Sequence, residues 1–123
     1  MPALSILVID DENVICDACR LILAEKGHAV DSCLTGKNGL RAIERGTYDL
    51  ILLDMKLPDI DGMEILEAVR QKGPAAPCVI VMTGYSTMSN ALQAMKLGAA
   101  DYLAKPFTDD ELVEALEKAI VNL

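Results

Sequence analysis

Asp10 and Asp11, Asp54, Thr83 and Lys105 each follow directly on a short, mostly apolar run, and that shared position makes them the chemically informative residues of the chain. The runs are Ser5-Ile6-Leu7-Val8-Ile9, Leu50-Ile51-Leu52-Leu53, Cys78-Val79-Ile80-Val81-Met82 and Asp101-Tyr102-Leu103-Ala104. The first three lack alternation and read as strands buried on both faces of a parallel sheet. A carboxylate is costly inside such a sheet. The polar residues therefore belong at its carboxyl edge, where open α/β sheets form their ligand crevices. Three acids meeting at one edge repel one another unless neutralised, and an oxygen-rich group of this kind suits Mg²⁺, which keeps several waters beside a few protein ligands. A lysine and a hydroxyl placed there can hold the oxygens of a phosphoryl group on that metal. The chemistry these types suggest is phosphoryl transfer. Taken singly, Asp54 reads as well as a turn residue, Asp11 as a helix N-cap and Lys105 as one more surface lysine. Only their convergence separates the two readings.

The elements that must position them follow from the remaining periodicity. Glu12 to Lys26 reads as a helix with Ile15, Ala18, Cys19 and Ile22 on one face and Gly27 as its stop, and Ala29 to Cys33 alternates like a half-exposed edge strand. Thr35 caps a helix that runs through Arg45 to Gly46, with Leu40 and Ile43 facing the core. After the Leu50–Asp54 strand, Pro58, Asp59, Asp61 and Gly62 mark a loop, and Met63 to Lys72 form a helix bearing Ile65, Leu66 and Val69. Gly73 to Pro77 is a turn. Residues 86–97 place Met88, Ala91, Leu92 and Met95 at i, i+3, i+4 and i+7, which predicts a core-facing stripe ended by Gly98. Thr108 and Glu111 form a capping box before a last helix striped by Leu112, Ala115, Leu116, Ala119, Ile120 and Leu123. Five strands alternating with five helices imply an α/β fold, with a parallel sheet, right-handed crossovers and helices on both faces.

A chain of 123 residues suits one domain, here taken as 1–123, around a single core. With 52% hydrophobic but only 3% aromatic residues, that core must be aliphatic. Eleven basic against nineteen acidic residues give a net charge of −8, which argues against nucleic-acid or anionic-membrane binding by this domain and favours basic partners or metal ions. No apolar run is long enough to span a bilayer, and the start of the chain has no basic segment of the secretory kind, so a cytoplasmic setting with reduced cysteines is expected. Cys16 and Cys19 form a C-x-x-C inside a predicted helix, without a second pair or a neighbouring histidine, and read as buried small hydrophobes. His28 reads as a surface residue at a strand start, and Met88 and Met95 as core packing.

In the order and spacing of these groups the sequence resembles the receiver domain of two-component response regulators over essentially its whole length. The resemblance implies a flavodoxin-like (βα)5 fold with strand order 2-1-3-4-5. It implies Asp54 as phosphoacceptor, Asp11 as a direct Mg²⁺ ligand, Asp10 acting through metal-bound water, and the backbone carbonyl of Lys56 completing the protein's share of the shell. Thr83 and Lys105 would hold phosphoryl oxygens, Tyr102 would be the switch aromatic, and the Lys105–Pro106 bond would be cis. Lys56 and Tyr85 would flank the approach of hydrolytic water, and their bulk implies slow self-dephosphorylation. The implied partners are a sensor histidine kinase or phosphotransfer protein and an output domain or partner protein, with a phosphorylation-dependent homodimer left open. The stretch from Leu97 to Phe107 looks most like receivers joined to ATPase-type transcriptional activators. No output domain follows in these residues, which leaves both a stand-alone receiver and one belonging to a longer regulator or hybrid kinase. As a receiver it would catalyse only its own phosphorylation and dephosphorylation.

The rival from another class is a Mg²⁺-dependent phosphatase with an aspartate nucleophile, of the haloacid-dehalogenase type. That pattern requires a second acid two residues after the nucleophile, where this chain has Lys56, and a cap domain that it lacks. A flavin binder of similar fold would need a hydroxyl-rich loop after the first strand and aromatic residues to sandwich the ring. Neither is present.

Overall fold

Each apolar run forms a strand, and the alternation with helices is complete. The computed structural model describes residues 3–84 and 88–121. In chain order these are β1 (Ser5–Ile9), α1 (Asn13–Glu25), β2 (Ala29–Cys33), α2 (Gly36–Arg45), β3 (Leu50–Asp54), α3 (Gly62–Arg70), a 3-10 turn (Gly73–Ala75), β4 (Cys78–Thr83), α4 (Met88–Lys96), β5 (Asp101–Ala104) and α5 (Asp109–Ile120). The strands are all parallel and lie in the order β2-β1-β3-β4-β5. The expected (βα)5 fold and strand order are therefore the observed ones.

The sheet divides the core into two layers. Ile6, Val8, Leu50, Leu52, Ile80 and Met82 point to one face, where α1 and α5 bring Cys19, Leu23, Leu112 and Leu116. Leu7, Ile9, Ile51, Leu53, Val79 and Val81 point to the other, against Ile43 of α2 and Ile65, Leu66 and Val69 of α3. Successive strand residues face opposite sides, so a strand covered on both sides must be apolar at every position. Each Leu or Ile so buried stabilises the fold by about 1.5–3 kcal/mol relative to exposure. Cys16 and Cys19 lie in the first layer at 2% and 0% exposure, as small hydrophobes. Their thiols are pushed up to about 11 and about 12, chiefly by burial, and are inert at neutral pH.

Helix ends match the local chemistry. Thr108 and Glu111 close the capping box of α5, and the Thr35 hydroxyl accepts from the Asn38 N–H at the start of α2. Gly27 and Gly98 take φ of 91° and 99°, a conformation side chains resist, and end α1 and α4. At α1 the N-cap is Glu12, not Asp11, and its side chain makes no capping bond.

Two further expectations are corrected. In α4, Leu92 and Met95 are exposed, at 54% and 44%, while Ala94 is the fully buried residue. An i, i+4, i+7 stripe identifies an apolar face without saying whether the sheet or another surface covers it, and here small Ala94 takes the sheet side. The side chain of Met88, together with Tyr85 and Leu123, lies outside the described residues.

The other correction is His28, which is buried rather than on the surface, with Nδ1 accepting the Leu4 N–H at 3.0 Å. Nε2 is also buried and makes no hydrogen bond. Burial holds the imidazole below its usual value of 6.5, so the folded state keeps it neutral. On acidification the unfolded chain takes the proton first, and stability falls as pH drops through about 6.5 towards the lower folded value. Thermal melts at pH 7.5 and 5.5 should show a larger loss of Tm in wild type than in His28→Gln. Equal losses would mean that His28 does not carry this dependence.

Candidate functional site

Parallel strands end together, and their carboxyl ends bring the polar residues to one cavity of about 610 Å³, lined by Asp11, Glu12, Asp54, Lys56, Thr83 and Lys105 among others. Asp10 lies just behind it with no exposed surface. Its N–H donates to the Cys33 carbonyl of β2 and its Oδ1 accepts the Glu12 N–H at 2.9 Å, which turns the chain from β1 into α1. Its Oδ2 has no aligned hydrogen bond, although Lys105 Nζ stands 2.6 Å away. That contact is an ion pair by distance and leaves the oxygen able to accept from another donor.

Asp54 ends β3 and is 4% exposed. Its Oδ1 accepts the Lys56 N–H at 3.0 Å and its Oδ2 lies 3.3 Å from Lys105 Nζ. Burial pushes its carboxyl above the usual range, and the neighbouring Asp10 adds to this against the opposing Lys56 N–H and Lys105 ammonium. Lys105 is brought in by β5, whose pairing to β4 continues with the Lys105 N–H donating to the Thr83 carbonyl at 2.9 Å. Burial alone would lower its pKa. Asp10, Asp54 and Glu12, the last at 3.8 Å, outweigh that and raise it, so the ammonium is firmly charged. One cation thus bridges two buried carboxylates.

Asp11 and Glu12 stand exposed at the cavity mouth, and with Asp10 they offer carboxylate oxygens within 4.8 Å of one another. Glu12 is the member that the sequence reading assigned only to a helix. The run Asp10-Asp11-Glu12 was the available signal. Thr83 is 3% exposed at the end of β4 and lines both this cavity and a second one, of about 390 Å³, together with Met55, Asp61, Asn90 and Tyr102. Tyr102 is half-buried on β5 and packs with the α2/α3 side of the core. The Lys105–Pro106 bond is cis.

The loop between β3 and α3 is tightly folded. Lys56 and Asp61 form an antiparallel bridge, the Gly62 N–H donates to the Met55 carbonyl at 3.1 Å, and Asp61 caps α3 by accepting the Met63 N–H. Gly62 is packed on Met55 so closely that a Cβ would lie 2.5 Å from the Met55 Cα.

Comparison with known proteins agrees with this geometry. The family model described as "Response regulator receiver domain" matches residues 6–117. The chain belongs to the response regulator receiver family. It is 42% identical over 108 residues to the transcriptional regulatory protein DltR of Streptococcus agalactiae, covering 88% of this chain and 48% of that one. It is 35% identical over 119 residues to the transcriptional regulatory protein ZraR of Escherichia coli strain K12, covering 97% of this chain and 27% of the relative. The receiver thus spans about half or less of these relatives' length. Likeness to ZraR agrees with the resemblance to receivers of ATPase-type activators. Among solved structures, a CheY-like receiver from Methanospirillum hungatei JF-1 superposes with a TM-score of 0.91 at 32% identity, covering 98% of this chain and 96% of that one. Receivers are phosphorylation-activated switches that interact with histidine kinases and output domains and bind Mg²⁺ through acidic residues. No described helix is long and apolar enough to cross a membrane.

Proposed function

We propose that this receiver accepts a phosphoryl group on Asp54 from a sensor histidine kinase or phosphotransfer protein, with Mg²⁺ held at Asp10, Asp11, Asp54 and the Lys56 carbonyl, and passes the signal through Thr83 and Tyr102. The observation that carries this reading is Lys105 Nζ, which stands 2.6 Å from Asp10 Oδ2 and 3.3 Å from Asp54 Oδ2. The residues fit a hard divalent cation: the donors are all oxygen, and a buried Asp10 oxygen without an aligned bond can accept from a water on the ion. Glu12 adds a further carboxylate at the mouth. The bound ion supplies neutralising charge for the phosphoryl oxygens.

The protein's own part is positioning and electrostatics. The Lys56 N–H orients the Asp54 carboxylate, whose oxygen attacks phosphorus in line as the P–N bond to the donor imidazole breaks and the electron pair leaves with nitrogen. Lys105, already held charged between two acids, moves little to meet the new anion, so its stabilisation costs little reorganisation. The Thr83 hydroxyl satisfies a phosphoryl oxygen. Aspartyl phosphate chemistry without a second acid two residues on favours self-modification over turnover of external phosphomonoesters.

The readout lies on α4, β5 and α5. Thr83 borders both cavities, so a shift of its side chain towards a phosphoryl group changes the space that Tyr102 lines. A ligand shifts such an equilibrium only through contacts that differ between states, and the Thr83 hydroxyl supplies one. Exposed Leu92 and Met95 are the apolar surface that such a change would offer to an output domain, a partner or a second copy. Amide NMR with Mg²⁺ and beryllofluoride, a phosphoryl mimic, should show shifts that reach residues 88–120 in wild type and stay around Asp54 in Thr83→Ala. No response in wild type would refute the site, and equally far shifts in the variant would refute the coupling role of Thr83.

A further inference from the structure

Asp59 is exposed, yet both of its carboxylate oxygens are engaged. Oδ1 accepts the Gly36 N–H at 2.9 Å and Oδ2 accepts the Lys37 N–H at 2.9 Å, so one side chain of the β3–α3 loop binds two of the free donors in the first turn of α2. The approach is close. A Cβ at Gly36 would lie 3.0 Å from Ile60 Cβ, 3.1 Å from Ile65 Cδ1 and 3.2 Å from Asp59 Oδ1. Thr35 caps the same helix independently, its hydroxyl accepting the next free donor, the Asn38 N–H, at 3.1 Å. What the contact fixes is the loop. Three residues before Asp59 is Lys56, whose N–H holds Asp54 Oδ1 and whose carbonyl the metal would use. The opposite end of the loop is closed by the Lys56–Asp61 bridge, and Leu57 and Ile60 press its middle onto the core.

We propose that Asp59 is a positioning residue for the metal site: by clamping the β3–α3 loop to the start of α2, it holds the Lys56 backbone where Asp54 and the cation need it. This rests on the Mg²⁺ site proposed above. Without the clamp the loop loses this polar tie to α2, and the Lys56 carbonyl and N–H must be ordered when the ion binds. Groups that orient a ligand from outside the shell typically change metal affinity by 10–100-fold when removed. An exposed clamp belongs at the lower end.

The test is titration of the full chain with Mg²⁺, followed by amide NMR of the residues around Asp54, together with thermal melts. Asp59→Ala should fold with a wild-type-like amide spectrum elsewhere and bind Mg²⁺ about tenfold more weakly. Asp59→Asn keeps one acceptor and no charge, and should fall between the two. Thr35→Ala removes the cap of the same helix without touching the loop, and should lower Tm while leaving the Mg²⁺ affinity unchanged. If Asp59→Ala loses Tm but keeps wild-type affinity, its role is structural and the proposal fails. It fails also if Asp59→Asn is as weak as Asp59→Ala, since charge alone would then explain the loss, or if Thr35→Ala weakens Mg²⁺ equally. A wild-type chain that does not bind Mg²⁺ would overturn the metal site itself, a result distinct from these.

Discussion

Asp54→Ala is expected to take up no phosphoryl group from acetyl phosphate and Mg²⁺ under conditions that label the wild type, read by intact-protein mass spectrometry. No other acid at the edge can replace it. Asp10 is fully buried and engaged by Lys105 at 2.6 Å, while Asp11 and Glu12 stand at the exposed mouth. The loss should come without loss of stability. Burial, with Asp10 beside it, makes the ionised Asp54 unfavourable in the folded state, and removing it leaves Lys105 paired to Asp10, with Glu12 at 3.8 Å. Tm should therefore be no lower than in wild type. Sites arranged for chemistry commonly carry such strain, and its relief on mutation separates a functional carboxylate from a structural one. Labelling that persists in Asp54→Ala, or is unchanged with a chelator present, would overturn the assignment, and a clear drop in Tm would show that Asp54 mainly supports the fold.

Gly62→Ala is expected to destabilise the protein by about 3 kcal/mol, the upper range for forcing atoms into packed structure, which for a domain of this size lowers Tm by roughly 10 °C. The new Cβ would meet Met55 at its Cα (2.5 Å), its carbonyl oxygen (2.9 Å) and its carbonyl carbon (3.0 Å). These are backbone atoms. No rotamer change can relieve the contact, so the Gly62 N–H to Met55 carbonyl bond must stretch and the loop carrying Lys56 must move. Circular dichroism melts measure the stability, and a Tm within about 1 °C of wild type would mean that the loop relaxes freely.

Much of this protein is determined by residue type in one dimension. Continuous apolar runs such as Leu50–Leu53 can be satisfied only by burial on both faces, and that requirement alone specifies a parallel sheet between helix layers and sends Asp10, Asp54, Thr83 and Lys105 to one edge. The Thr108–Glu111 box and Gly27 are likewise local, because their partners lie within a turn of the chain.

What only the tertiary structure decided depends on pairs distant in sequence. That Lys105 bridges Asp10 and Asp54 follows from β5 pairing with β4 and β4 with β3, which no periodicity encodes. Asp59 looked like a turn residue because its partners, Gly36 and Lys37, are more than twenty positions away. His28 looked like a surface residue because its partner, the Leu4 N–H, comes from the segment before β1. The exposed Leu92 and Met95 mark the limit of the helical stripe: periodicity reports that a face is apolar, but which body covers that face is settled by packing, and in α4 the sheet accepts Ala94 instead.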